Sequence, residues 1–318
     1  RHHLGLRRER GERGVVGRQT VAYFAQHAGG LRWALAGRNA RKLEQARGDA
    51  DAGLIVADAT DDAALAALAA QTKVVASTAG PFALYGSALV AACVEHGTHY
   101  CDITGETPWV REMIDLHHEQ AAENGTRIVP CCGFDSVPSD IGALLVADAV
   151  KRESGQRCVR IKACHAIRGG LNGGTLASLL NIAEAGDLDR LADTFLLNPE
   201  GPLPADRSAH ADPLAPRHDR DFDAWLAPFV MAAINTRVVR RSAALMPPRG
   251  SPYAPGFVYQ ETLRTGRGPL GAALAAGMAG GIGVGVGGMR SSVWRAAMRK
   301  VLPAPGEGPS ERAMDNGS

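Results

Sequence analysis

Between residues 15 and 141, short apolar runs alternate with helix-like stretches. Residues 17–27 place Val21, Phe24 and Ala25 at helical spacing, and Gly29-Gly30 ends that helix. Apolar runs at 31–36, 54–57, 74–77, 99–103 and 126–130 are separated by helical patterns at 38–47, 63–71, 86–96 and 107–123. Such runs, spaced by helices of about 10–15 residues, mark successive strand–helix–strand units around a buried parallel sheet. The pattern predicts an α/β domain with a doubly wound parallel sheet over residues 1–145.

After about residue 151 the alternation stops. Residues 158–166, 235–244 and 257–263 are predicted strands of a different sheet, and 176–197 a long helix. Residues 198–221 carry five prolines and many charges, the signature of an exposed connection. These elements predict a second, α+β domain over 146–318, serving substrate binding or dimerisation. Residues 269–289 hold no charged side chain and are long enough to span a bilayer, yet contain eight glycines. The strict Gly-x alternation over 281–287 is unlike a membrane helix, whereas Gly277 and Gly281 have the spacing of closely packed helices. Three readings stay open: a segment or loop of the soluble domain, a contact with a membrane surface or acyl chain, and a span.

Composition removes several classes. Hydrophobic residues make up 45% and charged residues 21%, so a core can form and a disordered chain is excluded. Glycine is abundant, 38 of 318 residues, but without a three-residue period, which excludes collagen. A formal charge of +2 gives no case for nucleic acid. The six cysteines fit no zinc module or disulfide scaffold, and no other metal motif is present. They read as reduced thiols, and with no apolar stretch among the first thirteen residues the expected compartment is the cytoplasm.

A dinucleotide site needs a glycine turn between the first strand and helix, where backbone N–H groups meet the pyrophosphate. The candidate is Gly11-Glu12-Arg13-Gly14-Val15-Val16-Gly17, with Gly14, Val15 and Val16 nearest the cofactor. The residues before it are rich in Arg and His, so the first strand is damaged or missing. Back-translation of residues 1–11 with CGN arginine codons, read one nucleotide later, permits Asp-Ile-Ile-Leu-Val-Phe-Gly-Ala-Ser-Gly. That is an apolar strand leading into a glycine turn, and a frame error is the expected cause; a genuine basic arm is the alternative.

The second strand ends at Gly37-Arg38-Asn39. An arginine there offers its fork to a ribose 2′-phosphate, so Arg38, aided by Arg41 or Lys42, points to NADPH over NADH. Asp58 either meets the adenine or caps the next helix. Thr78, Ala79, Gly80 and Pro81 follow the fourth run at the ligand edge of the sheet, where the nicotinamide would lie. Asp102-Ile103-Thr104-Gly105-Glu106 and Cys131-Cys132-Gly133-Phe134-Asp135-Ser136-Val137-Pro138-Ser139-Asp140 occupy the same edge, and Gly169 to Thr175 precede the long helix. No nucleophile elbow, phosphate-binding Gly-Lys-Ser/Thr loop or His-Glu-x-x-His is present.

Taken in order, Leu35-Ala36-Gly37-Arg38-Asn39, Ala57-Asp58-Ala59-Thr60, Ala79-Gly80-Pro81-Phe82, Tyr85-Gly86, Asp102 to Glu106, Cys132 to Asp140 and Gly173-Gly174-Thr175 give the chain its resemblance to the saccharopine dehydrogenase-like oxidoreductases. Within them it most resembles the trans-acting enoyl reductases of actinobacterial lipid synthesis, which Asn235 to Ser242 and Pro305 to Ser310 also match. The resemblance implies a Rossmann-like NAD(P)-binding domain, a second α+β domain, and reduction of a carbon–carbon double bond in an acyl chain carried by a polyketide synthase or acyl carrier protein. It also implies a longer chain, so a C-terminal truncation is expected.

The expected function is therefore NADPH-dependent oxidoreduction in lipid biosynthesis, with Tyr85 and Asp135 as candidate proton donors. The rivals are a saccharopine-type C–N oxidoreductase, whose substrate carboxylates Arg237, Arg240 and Arg241 could hold, and a non-catalytic NADP-binding scaffold. A homo-oligomer and peripheral association with a membrane are further expectations.

Overall fold

The computed structural model describes residues 15–166, 180–247 and 250–301. Gly14, the 169–175 segment and Pro305 to Ser310 lie outside them. The first unit runs α1 (Val15–His27), β1 (Ala34–Gly37), α2 (Ala40–Arg47), β2 (Gly53–Val56), α3 (Asp62–Ala70) and β3 (Val74–Ser77). It continues with α4 (Phe82–Tyr85), α5 (Ser87–Glu95), β4 (His99–Asp102), α6 (Thr107–Asn124), β5 (Ile128–Val129) and α7 (Val137–Ser154). Asn39 and Asp61 cap α2 and α3 by accepting backbone N–H bonds from Lys42 and Ala64, each at 3.0 Å. Pro108 sits in the first turn of α6, and Gly125 at φ 74° ends it in the left-handed conformation that suits glycine.

All strands of this unit pair in parallel. β1 pairs with β2, with Leu35 opposite Leu54; β4 lies between β3 and β5, with Ala76 opposite Cys101 and Cys101 opposite Val129. The two sheets are separate: no strand among the described residues joins β1 to β3. A Rossmann sheet sets its first strand between the strands corresponding to these two. Ala34, Ala36, Val74 and Ala76 are accordingly exposed, where a complete parallel sheet would be buried on both faces. The core instead gathers around β4, where Phe82, Val90, Cys93, Val94, Tyr100, Trp109, Val110 and Met113 pack together.

The second unit has β6 (Cys158–His165), α8 (Leu188–Ala192), β7 (Arg217–Asp219), β8 (Ala224–Pro228), α9 (Ala232–Leu245), β9 (Tyr253–Gly266), α10 (Gly268–Gly288) and α11 (Ser292–Val301). Its sheet has the order β6-β9-β8-β7, parallel between β6 and β9 and antiparallel elsewhere. α7 and α9 cover it, burying Ala143, Ala147, Val239, Tyr253 and Tyr259.

Three expectations for this unit are corrected. Residues 235–244 are not a strand but part of α9. Their β-branched pairs favour a strand locally, yet the helix period is what puts Asn235, Thr236, Val239 and Arg240 on one buried face. The 176–197 helix does not run through: among its described residues it breaks at Gly186, whose φ is 81°, and residues 194–197 form a turn. Residues 269–289 are neither loop nor alternating strand but lie almost wholly within α10. A helix carrying this much glycine, at about 1 kcal/mol each relative to alanine, depends on its packing. A narrow side bearing Gly271 and Ala275 packs on β8 and β9; a Cβ at Gly271 would meet the Gly266 carbonyl oxygen at 2.5 Å. The outer side exposes Leu270, Leu274, Met278, Val284 and Val286, and α10 is long and apolar enough to cross a membrane.

Candidate active site

The C-terminal ends of the parallel strands and the start of α1 converge. Gly17, in the first turn of α1, faces Thr78 after β3: a Cβ there would sit 3.4 Å from the threonine hydroxyl. The first turn of α1 therefore lies beside the Thr78-Ala79-Gly80-Pro81 loop, with Val16 exposed and Val15 opening the helix. Ala79 and Gly80 are exposed, and the Gly80–Pro81 peptide is cis. Across the edge, Arg38 and Lys42 are exposed at the start of α2. Asp58 does not cap the next helix; Asp61 does. Its Oδ1 instead accepts the Thr60 N–H at 3.0 Å and the Thr60 hydroxyl at 2.9 Å. These bonds hold the Asp58 carboxyl below its ordinary range, with a smaller contribution from the nearby Arg38 charge.

Two buried carboxylates shape the loops. Glu106, 1% exposed, accepts the N–H groups of Phe82 at 3.0 Å and Ala83 at 2.9 Å, the free donors at the start of α4. It thereby fixes the end of the Ala79-Gly80-Pro81 segment. Asp102 accepts the N–H groups of Thr104 and Cys131, both at 3.0 Å, and the Tyr100 hydroxyl at 2.9 Å. It ties the ends of β4 and β5 together. Sequence reading placed both on the ligand edge but missed their work, because their partners are backbone groups up to 29 residues away.

Burial raises the Asp102 carboxyl above its ordinary value of 3.8, outweighing its hydrogen bonds. The folded state then binds this proton more tightly than the unfolded state. The associated stability is complete below 3.8 and is lost as pH rises through the folded value. Asn at 102 keeps one oxygen for the two N–H donors, while its amide can donate to the Tyr100 oxygen. The melting temperature of Asp102→Asn should therefore gain on the parent as pH rises from about 4 through the folded value. A difference that stays flat across that range contradicts the assignment.

The stretch from Gly133 to Asp140 joins the two units. Ser136 donates to Asn235 Oδ1 at 2.9 Å, Asn235 Nδ2 donates to Glu261 at 3.1 Å and Ser139 at 3.3 Å, and Ser242 donates to Asp140 at 2.8 Å. Gly105 packs against Ile234, where a Cβ would meet the isoleucine at 3.0 Å. Asp135 is left at the surface beside Phe134, which is 90% exposed. Partial desolvation raises the Asp135 carboxyl, although water still reaches it. Tyr85 is exposed at the end of α4.

The three arginines do not form a substrate clamp on a strand. Arg237 and Arg240, three apart on α9, point into the protein. Arg237 donates to the carbonyls of Leu191, Ala192 and Asp193 and to the Asp212 carboxylate. Arg240 donates to the carbonyls of Thr194, His210 and Tyr259. Arg241 donates to Leu197 O at the end of a cavity of about 330 Å³ between α6 and β5.

Parallel strands alternating with helices, with a helix start and an exposed arginine at the C-terminal edge of the strands, fit a Rossmann-type NADP-dependent oxidoreductase. Residues 11–129 match the saccharopine dehydrogenase NADP binding domain. A Mycobacterium tuberculosis protein provisionally named a trans-acting enoyl reductase is 38% identical over 96% of this chain and 77% of its own length. The trans-acting enoyl reductase of Mycobacterium ulcerans is 36% identical over the same shares. The chain belongs to this family, the trans-acting enoyl reductases with a saccharopine dehydrogenase-like NADP-binding domain. Among solved structures, the apo saccharopine dehydrogenase (L-Glu forming) of Saccharomyces cerevisiae superposes with a TM-score of 0.42 at 18% identity, covering 50% of this chain and 34% of the other.

Proposed function

We propose that the chain reduces the carbon–carbon double bond of an enoyl thioester presented by a separate synthase or acyl carrier protein, with NADPH preferred over NADH. The observation that carries this reading is the ligand edge itself, with Arg38 exposed at the 2′-phosphate position and the small residues 78–81 leaving room beside the backbone. NADPH, when bound, supplies the hydride. The N–H groups of the first turn of α1 would hold its pyrophosphate and Arg38 its 2′-phosphate, with Lys42 adding charge and Asp58 beside the adenine. Glu106, acting through Phe82 and Ala83, positions the loop at which the nicotinamide would lie. The exposed Phe134 and Val137 favour an apolar acyl chain over an amino acid. The saccharopine-type reading loses support because Arg237 and Arg240 direct most of their donors to main-chain carbonyls. The NADP-binding and substrate units are proposed to divide near residue 145, within the continuous α7.

The test is NADPH consumption with a panel of 2-enoyl thioesters beside saccharopine. Turnover with the thioesters alone is expected; turnover with saccharopine alone overturns the reading, and binding without turnover on any substrate favours a scaffold. Arg38→Ala should weaken NADPH binding roughly tenfold or more, the worth of one charge-assisted bond, and leave NADH unchanged. Equal loss for both cofactors contradicts the 2′-phosphate role. The proton donor is proposed to be Tyr85 or Asp135. Tyr85→Phe should lower turnover by about 10²-fold or more if Tyr85 supplies the proton, and an unchanged rate removes it from that role. Peripheral membrane association is favoured by the uncovered apolar side of α10; flotation with vesicles tests it, and protein that stays in the dense fraction contradicts it.

A further inference from the structure

Two thiols meet at the ligand edge, and the reaction just proposed uses neither. Cys101 is the penultimate residue of β4, half-buried, opposite Val129 in the sheet. Cys132 is exposed on the loop that leaves β5. Between them Cys131 holds φ 61°, a left-handed conformation uncommon for a residue with a side chain and worth reading as a functional hint. The turn it makes brings the Cys132 N–H to the Asp102 carbonyl at 2.7 Å and the Cys132 sulfur to the Val129 carbonyl at 3.2 Å. Cys132 is thus folded back against the end of β4, its sulfur on the carbonyl of the residue that faces Cys101 across the sheet. The remaining cysteines lack this arrangement: Cys93, Cys131 and Cys158 are buried, and half-buried Cys164 lies on β6 of the second unit.

We propose that Cys101 and Cys132 are an oxidisable pair that closes to a disulfide on reaction with a hydroperoxide. The neighbouring Cys132 thiol holds Cys101 below the ordinary cysteine range, so Cys101 is the thiolate and Cys132 the resolving thiol. The Cys101 thiolate attacks the peroxide, breaks its O–O bond and becomes a sulfenic acid, while the departing oxygen takes a proton. Cys132 then attacks the Cys101 sulfur as its own proton leaves, and the sulfenic oxygen departs as water. Two electrons pass from the sulfur pair to the peroxide, and a dithiol reductant restores both thiols. Closure fastens the loop at Gly133 to Ser136 onto β4, next to Asp102 and beside the seam that Ser136 makes with Asn235.

The whole chain, treated with hydrogen peroxide, alkylated and digested without reductant, should yield one crosslinked peptide joining Cys101 to Cys132, lighter than the reduced pair by two hydrogens. Dithiothreitol should remove it. In Cys132→Ser the crosslink should vanish and Cys101 should be trapped by dimedone as a sulfenic acid. Cys132→Ala should slow alkylation of Cys101 near neutral pH several-fold, because the group that favours its thiolate is removed. Cys101→Ser should leave Cys132 reduced under the same dose, and the melting temperature of each variant checks that it is folded. Oxidation of other cysteines with no Cys101–Cys132 crosslink, a Cys131–Cys132 link in its place, or full dimedone labelling of Cys101 in the unsubstituted chain overturns the proposal.

Discussion

Replacing Glu106 with alanine should unfold the cofactor edge before anything else in the molecule. The substitution strips acceptors from the N–H groups of Phe82 and Ala83, leaving the Phe82 donor buried without a partner and the Ala83 donor to water. A buried donor left unpaired costs about 1–3 kcal/mol and an ordinary lost bond about 0.5–1.5 kcal/mol, so the loss is about 2–4 kcal/mol. At about 2–4 °C per kcal/mol for domains of some 150–250 residues, and less for a longer chain, the melting temperature should fall by about 5 °C. NADPH affinity should fall with it, because residues 79–81 lose their anchor. Glu106→Gln retains one acceptor oxygen and should lie between the two proteins. A Glu106→Ala protein within 1 °C of the parent would show that the bonds carry little.

The second large effect concerns the space between β1 and β3. Grafting Asp-Ile-Ile-Leu-Val-Phe-Gly-Ala-Ser-Gly in place of residues 1–11 should join the two parallel sheets into one. A strand there would gain hydrogen-bond ladders on both sides and cover the now exposed Ala34, Ala36, Val74 and Ala76. Each large apolar side chain it buries contributes about 1.5–3 kcal/mol, against about 1–2 kcal/mol for ordering each residue. The graft should raise the melting temperature by several degrees and tighten NADPH binding at least tenfold, since a glycine turn then leads into α1. No change in either quantity would mean that the open position is not where the strand belongs. Sequencing the 5′ end of the gene tests the frame reading separately.

Much of the first unit was legible because its elements obey local rules. Apolar runs fall on β1 to β5, and the helical stretch at 38–47 falls on α2. The resemblance through Arg38, Asp58, Gly80-Pro81 and the Asp135 stretch led to the family that the relatives establish. What stayed hidden depends on contacts between distant residues. α9 was misread because its buried face carries Asn235, Thr236, Arg237 and Arg240, whose partners lie on other elements and give no apolar period. Residues 269–289 were left between three readings because their glycines obscure a helix that packing on β8 and β9 supports. Asp58 was left between two roles, and only the structure gives the cap to Asp61 and pairs Asp58 with Thr60. Glu106 and Asp102 stood in a recognised motif, but no sequence pattern reveals that their acceptors serve backbone N–H groups elsewhere in the chain.

The most direct test of the central claim is a thermal-shift titration of this chain with NADPH and, separately, NADH. A ligand held only by the folded state raises the melting temperature as its concentration passes Kd. The expected result is a saturable rise with NADPH at concentrations where NADH gives little, and its loss in Arg38→Ala. Equal shifts with both cofactors would contradict the Arg38 assignment, and no shift with either would contradict an NADP site in the chain as it stands.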